Sequence, residues 1–371
     1  METPPQSLSP LEYATYWITA VIGNVLFVWP GHVVSAAGEN ALGSVLAVIA
    51  GLVGSGLLHH YAIRRGLAHR PPGWLLTGTA GISLLLVGLV DGALLALLCQ
   101  MLHTLFYADT PQWALLLPFL GILIWGGGMA LDALGRLTQL WVPVGGVVLA
   151  ATAAIGLIHA THLRPLWPEN WYVAPMVRGA GIMAYLVLPV GPTVILLAPR
   201  VNAPARSQRR AALAAAGTTA ITLLAIYALV TMMLGPQAIS RLRWPLVYSL
   251  ETITLDSTFF ISRVGLAVIF LWTAVVALAF AVHLRLTTQW LTPKKMAPPI
   301  WLVGGLASLY GLGLIAFRTP STATRWILHT VDPIALVYLI LEHGLLATWL
   351  VIGAIAQVHR RRAKKTAPVQ N

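Results

Sequence analysis

Charge is scarce in this chain. Asp, Glu, Lys and Arg make up 9% of its 371 residues, against about a quarter in a soluble domain. Acidic side chains are the rarest of the charges, eleven in all, while 58% of residues are hydrophobic and the mean hydropathy is +0.79. So few charges cannot clothe a water-soluble surface. One cysteine, Cys99, excludes an intramolecular disulfide and reads as a small buried apolar group. There is no Gly-rich phosphate loop, no His/Cys/Asp/Glu cluster at metal-ligand spacing and no nucleophile–base motif. His59-His60 near a helix end is too little for a metal. An enzyme has no support in these residues, and neither a cofactor nor a bound metal is expected. The net charge of +12 does not point to nucleic acid, because the basic residues fall in loops between apolar segments.

What is present is a series of long apolar runs, the mark of an all-α polytopic membrane protein. Ten segments are long enough to span, near residues 11–36, 41–63, 74–106, 112–134, 140–162, 176–199, 210–234, 258–291, 298–317 and 334–358. Ser9-Pro10-Leu11-Glu12 predicts the first helix start, with Ser9 as N-cap, Pro at the first position and Glu12 closing a capping box. Met1-Glu2-Thr3-Pro4-Pro5 lacks a basic region, so the first segment is expected to stay as a membrane helix. Sixteen of the 23 basic residues lie in the loops and tail on the N-terminal side and seven on the other, which predicts cytoplasmic termini. Trp29, Trp74, Trp113, Trp244 and Trp301 are among the tryptophans near segment ends, an expected interfacial belt.

Two segments break the rules of an uninterrupted membrane helix. The first holds Gly23-Asn24 and Pro30-Gly31; the sixth holds Pro189-Val190-Gly191-Pro192. Gly weakens a helix and Pro removes a donor, and each freed backbone group in hydrocarbon needs another partner. The ten segments divide into two sets of five, roughly 11–162 and 176–358, with a short basic tail at 359–371. Moved by about one set, the first break falls on the second. An odd number of helices per set inverts one set relative to the other, which predicts a five-plus-five inverted repeat with helices one and six broken at mid-membrane. A break of this kind offers donors at one half-helix end and acceptors at the other, so a zwitterionic amino acid fits without charged side chains. Gly23, Asn24, Val25, Phe27, Gly31, Pro189 and Gly191 are the candidate ligand-binding residues.

Asp91 joins them as a carboxylate at membrane depth. It either carries a proton or pairs with a cationic substrate, or it is hydrogen-bonded between helices for structure alone. Glu342-His343 lies in the tenth segment, where at least one of the two must meet a neighbouring helix. Gln100, His103 and Tyr107 share a helical face near the outer end of the third, and Asp132 and Arg136 are spaced to pair at the inner end of the fourth.

These residues resemble the B subunit of spore nutrient-germinant receptors, the endospore germination permeases of the amino acid–polyamine–organocation transporter superfamily. The likeness runs from Leu8-Ser9-Pro10-Leu11-Glu12 through Ile22-Gly23-Asn24 and Trp29-Pro30 to Ala36-Ala37-Gly38-Glu39-Asn40. It continues in Thr110-Pro111-Gln112-Trp113, Leu134-Gly135-Arg136-Leu137 and Leu163-Arg164-Pro165-Leu166-Trp167-Pro168. The fullest stretch is Leu242-Arg243-Trp244-Pro245, then Phe259-Phe260-Ile261-Ser262-Arg263 and Leu271-Trp272. Two departures stand out: Val25 occupies the place of a second Gly at the first break, and Pro189–Pro192 has no carboxylate beside it in sequence. Gly23-Asn24 with Phe27 and Pro30 also resembles the first broken helix of sodium-coupled neurotransmitter symporters, which makes Asn24 a candidate ion ligand.

The resemblance implies a germinant-receptor subunit in the spore inner membrane, binding a small nutrient such as an amino acid and working with A-type and C-type subunits. Two alternatives stay open: an ion-coupled amino-acid symporter of the same superfamily, and a membrane scaffold whose breaks are only kinks.

Overall fold

The computed structural model describes residues 7–24, 29–63, 73–158, 167–251, 264–293 and 298–366. All the regular elements described are helical, apart from one isolated bridge between Leu8 and Val201. In chain order they are α1 (Pro10–Ile22), α2 (Trp29–Ala37), α3 (Ala41–Ala62), α4 (Gly73–Leu105), α5 (Gln112–Gly128), α6 (Leu131–Ile158) and α7 (Val173–Gly181). After them come α8 (Val190–Leu197), α9 (Ala205–Arg241), α10 (Pro245–Glu251), α11 (Val264–Leu291), α12 (Ile300–Ala316), α13 (Pro320–Trp326) and α14 (Asp332–Thr366). Among the described residues six helical stretches are long and apolar enough to cross a membrane, and α7 with α8 makes a seventh bent by 55°. The outer faces agree, since Trp74, Leu85, Ile221, Trp301, Ile315 and Leu341 are all exposed. Apolar exposure on this scale suits lipid rather than water.

The expected capping box opens α1. Glu12 N–H donates to Ser9 Oγ (3.1 Å) and Ser9 N–H to Glu12 Oε2 (2.7 Å). From Glu12 to Asn24 every residue is buried, as are Val90–Leu102 of α4 and Val276–Leu286 of α11. A helix buried all round lies inside a bundle. α1 packs against α6, α8, α9 and α11, while α4 packs against α5, α8, α11 and α12. The two broken segments therefore meet at the centre, with α4 and α11 beside them.

Small residues allow these helices to approach. Gly23 lies on Ala279, and Gly313 of α12 sits against the Gly92 backbone of α4, where an added Cβ would collide. Between α2 and α3 the chain turns at Gly38–Asn40, with Gly38 at φ +56°, a conformation glycine adopts freely. α9 is interrupted by Gly235 (φ 72°) ahead of Pro236. At one end of the bundle, Leu8 N–H donates to the Arg200 carbonyl (2.9 Å) and Asn202 N–H to the Leu8 carbonyl (3.0 Å). The start of α1 is thus tied to the segment after α8.

The break expected in the first segment is there, since Gly23-Asn24 ends α1 and α2 begins at Trp29. Three other sequence expectations need correction. The fourth segment stops at Gly128 and α6 already begins at Leu131; Gly126-Gly127-Gly128 ends the helix and Met129 is extended. Asp132 and Arg136 do pair (3.1 Å), but at the start of α6 rather than the end of the preceding helix. Trp29 and Trp244 are buried in the bundle, so they belong to no interfacial belt, whereas Trp74, Trp113 and Trp301 are exposed.

The α4–α12 contact yields a test. Gly313→Ala forces a methyl onto the Gly92 backbone and should destabilise by roughly 1–3 kcal/mol, whereas Gly304→Ala, with open space around it, should not. Thermal unfolding of the two variants in detergent separates these outcomes; equal melting temperatures would contradict the contact.

Candidate functional site

At the end of α1 the Gly23 N–H still donates to the Thr19 carbonyl (3.0 Å), but the Asn24 N–H turns to Val21 (3.1 Å). A continuing α-helix would have sent it to Ala20. The Ala20 carbonyl instead lies 2.9 Å from His283 Nε2 on α11. The other ring nitrogen of His283 is 2.8 Å from Asp91 Oδ2 on α4. Both side chains are buried, and Tyr310 of α12 lies beside the carboxylate.

The proton count is set by the acceptors. A carbonyl only accepts, so Nε2 carries a proton. One further proton lies between Nδ1 and the Asp91 carboxylate. Placed on the ring it makes an ion pair; placed on the acid it leaves two neutral partners. The unit is neutral in either form, which lets a carboxylate lie deep in the bundle.

Asn24 is the next residue along, and it is fully buried with neither Oδ1 nor Nδ2 partnered among the described residues. Thr19 Oγ1, one turn earlier, is also buried and unpartnered. A buried polar group left unsatisfied costs about 1–3 kcal/mol. On the α6, α9 and α11 side, a cavity of about 40 Å³ lined by Thr19, Ile22, Trp141 and Trp272 is hardly larger than a water-sized group.

The second break is resolved differently. α7 ends at Gly181, a 3-10 turn covers Ala184–Leu186, and α8 restarts at Val190. Pro192 has no N–H for the Leu188 carbonyl, and Ser83 Oγ of α4 donates to that carbonyl instead (2.7 Å). The Pro189 carbonyl accepts from Thr193 N–H (3.2 Å) and Oγ1 (2.6 Å).

Gly191 lies against a second carboxylate–imidazole pair. A Cβ there would come within 2.9 Å of His59 Nε2 and 3.4 Å of Glu342 Oε1. His59 Nδ1 donates to the Ser55 carbonyl (2.8 Å), while Nε2 is 3.3 Å from Glu342 Oε1. The Tyr338 hydroxyl donates to the Thr79 carbonyl (2.6 Å) and stands 2.9 Å from the same Glu342 oxygen. Glu342 and His343 thus both enter the bundle, with His343 Nδ1 donating to the Leu339 carbonyl (2.7 Å).

Of the candidate ligand-binding residues, Gly23, Asn24 and Asp91 gather around the end of α1, the last through His283. Pro189 and Gly191 lie in and just after the second break. Gly31 does not join either group; it packs against the Ile239 and Leu242 carbonyls at the end of α9. Val25 and Phe27 lie outside the described residues. Gln100 and His103 are bonded to the Phe317 carbonyl (2.5 Å) and the Thr110 carbonyl (2.9 Å), which makes them structural ties. Sequence reasoning missed His283 and Ser83, and considered His59 only as a metal ligand. A lone His in the apolar run Val282-His283-Leu284 was a usable signal; Ser83 carried none.

A family model described as spore germination protein matches residues 89–291. The chain belongs to that family. The match covers the Asp91–His283 pair and the whole second break. No curated protein matches the chain. Among solved structures, MHP1, a nucleobase-cation-symport-1 family transporter in a closed conformation with bromovinylhydantoin bound, is 16% identical. That alignment covers 91% of this chain and 80% of MHP1, with a TM-score of 0.53. A mutant of the Eremococcus coleocola manganese transporter is 11% identical over 92% of this chain and 78% of its own, also at 0.53. At these identities the likeness is one of fold. The chain is a multi-pass helical membrane protein with a transporter-like fold.

The Asp91–His283 unit predicts strong coupling. Asp91→Leu and His283→Leu should each destabilise, but the double variant should be less destabilised than the sum, with a coupling of roughly 0.5–3 kcal/mol. A double-mutant cycle by thermal unfolding measures it, and additive effects would contradict the pair.

Proposed function

We propose that this chain is the membrane subunit of a spore nutrient-germinant receptor, binding a small nutrient of the amino-acid type between broken helices one and six. On this reading α1 and α2 form helix one and α7 and α8 form helix six of ten spans. The spans divide into inverted repeats near 11–162 and 176–358, with the basic tail at 359–371 after them. The chain sits in the spore inner membrane with both termini cytoplasmic, and A-type and C-type subunits carry the signal onward.

One observation carries the reading: the Asn24 amide is buried at the end of α1 with a donor and an acceptor to spare. A zwitterion needs both. Gly23, Asn24, Val25 and Phe27 are assigned to one side of the ligand, and Pro189 and Gly191 to the other. The family match and the transporter-like fold support a ligand-handling membrane protein. Signalling results if the nutrient favours one of two helix arrangements, because only differential affinity shifts such an equilibrium. Asp91 and His283 are placed to respond, since they hold the Ala20 carbonyl one turn before Asn24.

A second reading, an ion-coupled symporter of the same fold, draws on the same pair. A proton held between Asp91 and His283 at the break would serve for coupling.

Asn24→Leu tests the site, because Gly23 variants collide with Ala279. Removing an unpartnered amide should leave the unliganded protein as stable as before or more so. The thermal stabilisation given by the active amino acid in a nutrient panel should disappear, and spores carrying the variant should fail to germinate on it. A variant that unfolds without ligand, or keeps its nutrient response, contradicts the site. Gradient-driven uptake by the purified chain alone in proteoliposomes would replace the receptor reading with the symporter.

A further inference from the structure

At the end of the bundle where the chain begins, a cavity of about 680 Å³ opens between the close of α3 and the start of α9. That volume falls within the roughly 300–1,000 Å³ of small-molecule sites. Leu57 and Val201 give it apolar walls, while His60, Tyr61, Arg206 and Arg209 supply polar ones. One wall is fixed by hydrogen bonds. Leu8 ties Val201 to the start of α1, and Gln208 Nε2 donates to the Val201 (3.1 Å) and Ala203 (3.0 Å) carbonyls. The first turn of α9, which carries Arg206 and Arg209, is thereby held against the segment after α8.

Charge around this cavity has one sign. Residues 57–63 and 198–210 contain no Asp or Glu. Arg206 and Arg209 are exposed and enter no ion pair among the described residues. Arg200 is engaged elsewhere and donates to the Pro293 carbonyl (3.2 Å). The position of the two arginines also runs against the helix dipole. A helix start favours anions, yet the first turn of α9 has no acid and no side-chain cap. Arginines three residues apart share one face and repel. Topology accounts for basic residues at this end of the bundle, but not for two of them on the wall of one cavity. An anion between them turns both penalties into attraction.

We propose that this cavity binds a phosphate-bearing anion, with the Arg206 and Arg209 guanidinium groups as its principal donors. Guanidinium meets phosphate oxygens through paired hydrogen bonds. Two sources offer that chemistry at a membrane surface: the head group of an anionic phospholipid and free phosphate. Leu213, one turn beyond Arg209 and 44% exposed, places an apolar surface beside the arginine where an acyl chain would lie. The site stands apart from Asn24, and its test needs no nutrient.

The test is thermal unfolding of the purified full chain in neutral detergent at constant ionic strength. Four conditions are compared: sodium chloride alone, inorganic phosphate, short-chain phosphatidylglycerol, and short-chain phosphatidylcholine as the zwitterionic control. The wild type should melt a few degrees higher with phosphate or phosphatidylglycerol than with chloride or phosphatidylcholine, since a ligand held by the folded state stabilises it. Arg206→Gln/Arg209→Gln should abolish that gain while melting with the wild type in chloride, because both side chains are exposed. Arg206→Gln alone should keep part of the gain, a readout that does not depend on the double variant. Arg241→Gln/Arg243→Gln removes two exposed arginines at the far end of α9 and should keep all of it. A gain with inorganic phosphate assigns a free anion; a gain confined to phosphatidylglycerol assigns a lipid head group. Equal melting in all four conditions, an equal gain with phosphatidylcholine, or a gain that survives in Arg206→Gln/Arg209→Gln overturns the site. A gain lost equally in Arg241→Gln/Arg243→Gln reports net charge alone and overturns it as well.

Discussion

A backbone group freed in hydrocarbon must find another partner, and much of this structure stems from that requirement. Ending α1 at Gly23-Asn24 releases the Ala20 carbonyl, which is met by His283. Pro192 releases the Leu188 carbonyl, which is met by Ser83. A buried imidazole then needs a partner of its own, and Asp91 provides it. Ser83 and Asp91 stand about two turns apart on α4. One helix, buried along its inner half, therefore serves both breaks, directly at the second and through His283 at the first.

The same requirement explains how so few acids are spent. Glu12 closes a helix cap, and Asp132 pairs with Arg136 at a helix start. Asp91 and Glu342 are each matched to an imidazole, and Glu342 also meets the Tyr338 hydroxyl. Both of these pairs abut a broken helix. Asp332, unlike Asp91, Asp132 and Glu342, has no side-chain partner among the described residues, and near the end of α1 the Asn24 amide and the Thr19 hydroxyl are left open among them.

Much of the architecture was legible in the residues. Apolar length marked the spans, Ser9-Pro10-Leu11-Glu12 marked the first helix start, and the Gly and Pro clusters marked both interruptions. Contacts between distant segments were less accessible. Nothing local links Ser83 to Leu188, or His59 to Glu342, since those pairings depend on how helices cross. Asp332 lies just before the expected start of its segment at residue 334, so the apolar pattern gives it no place in the bundle. The π-helical turn Ile327–Val331 that precedes it has no sequence signature. Trp29 and Trp244 misled for the converse reason, because a position near a segment end does not say which way a ring points. The fourth segment was drawn too long because Gly126-Gly127-Gly128 is as apolar as a helix while being poor at sustaining one.

Hydrogen–deuterium exchange of the purified chain, with and without the active nutrient, probes the broken-helix site most directly. Binding between the two interruptions predicts slowed exchange in peptides spanning Ala20–Gly31 and Ile182–Pro192 together. Unchanged exchange in both peptides, with protection elsewhere in the bundle, would contradict a site built on the two breaks.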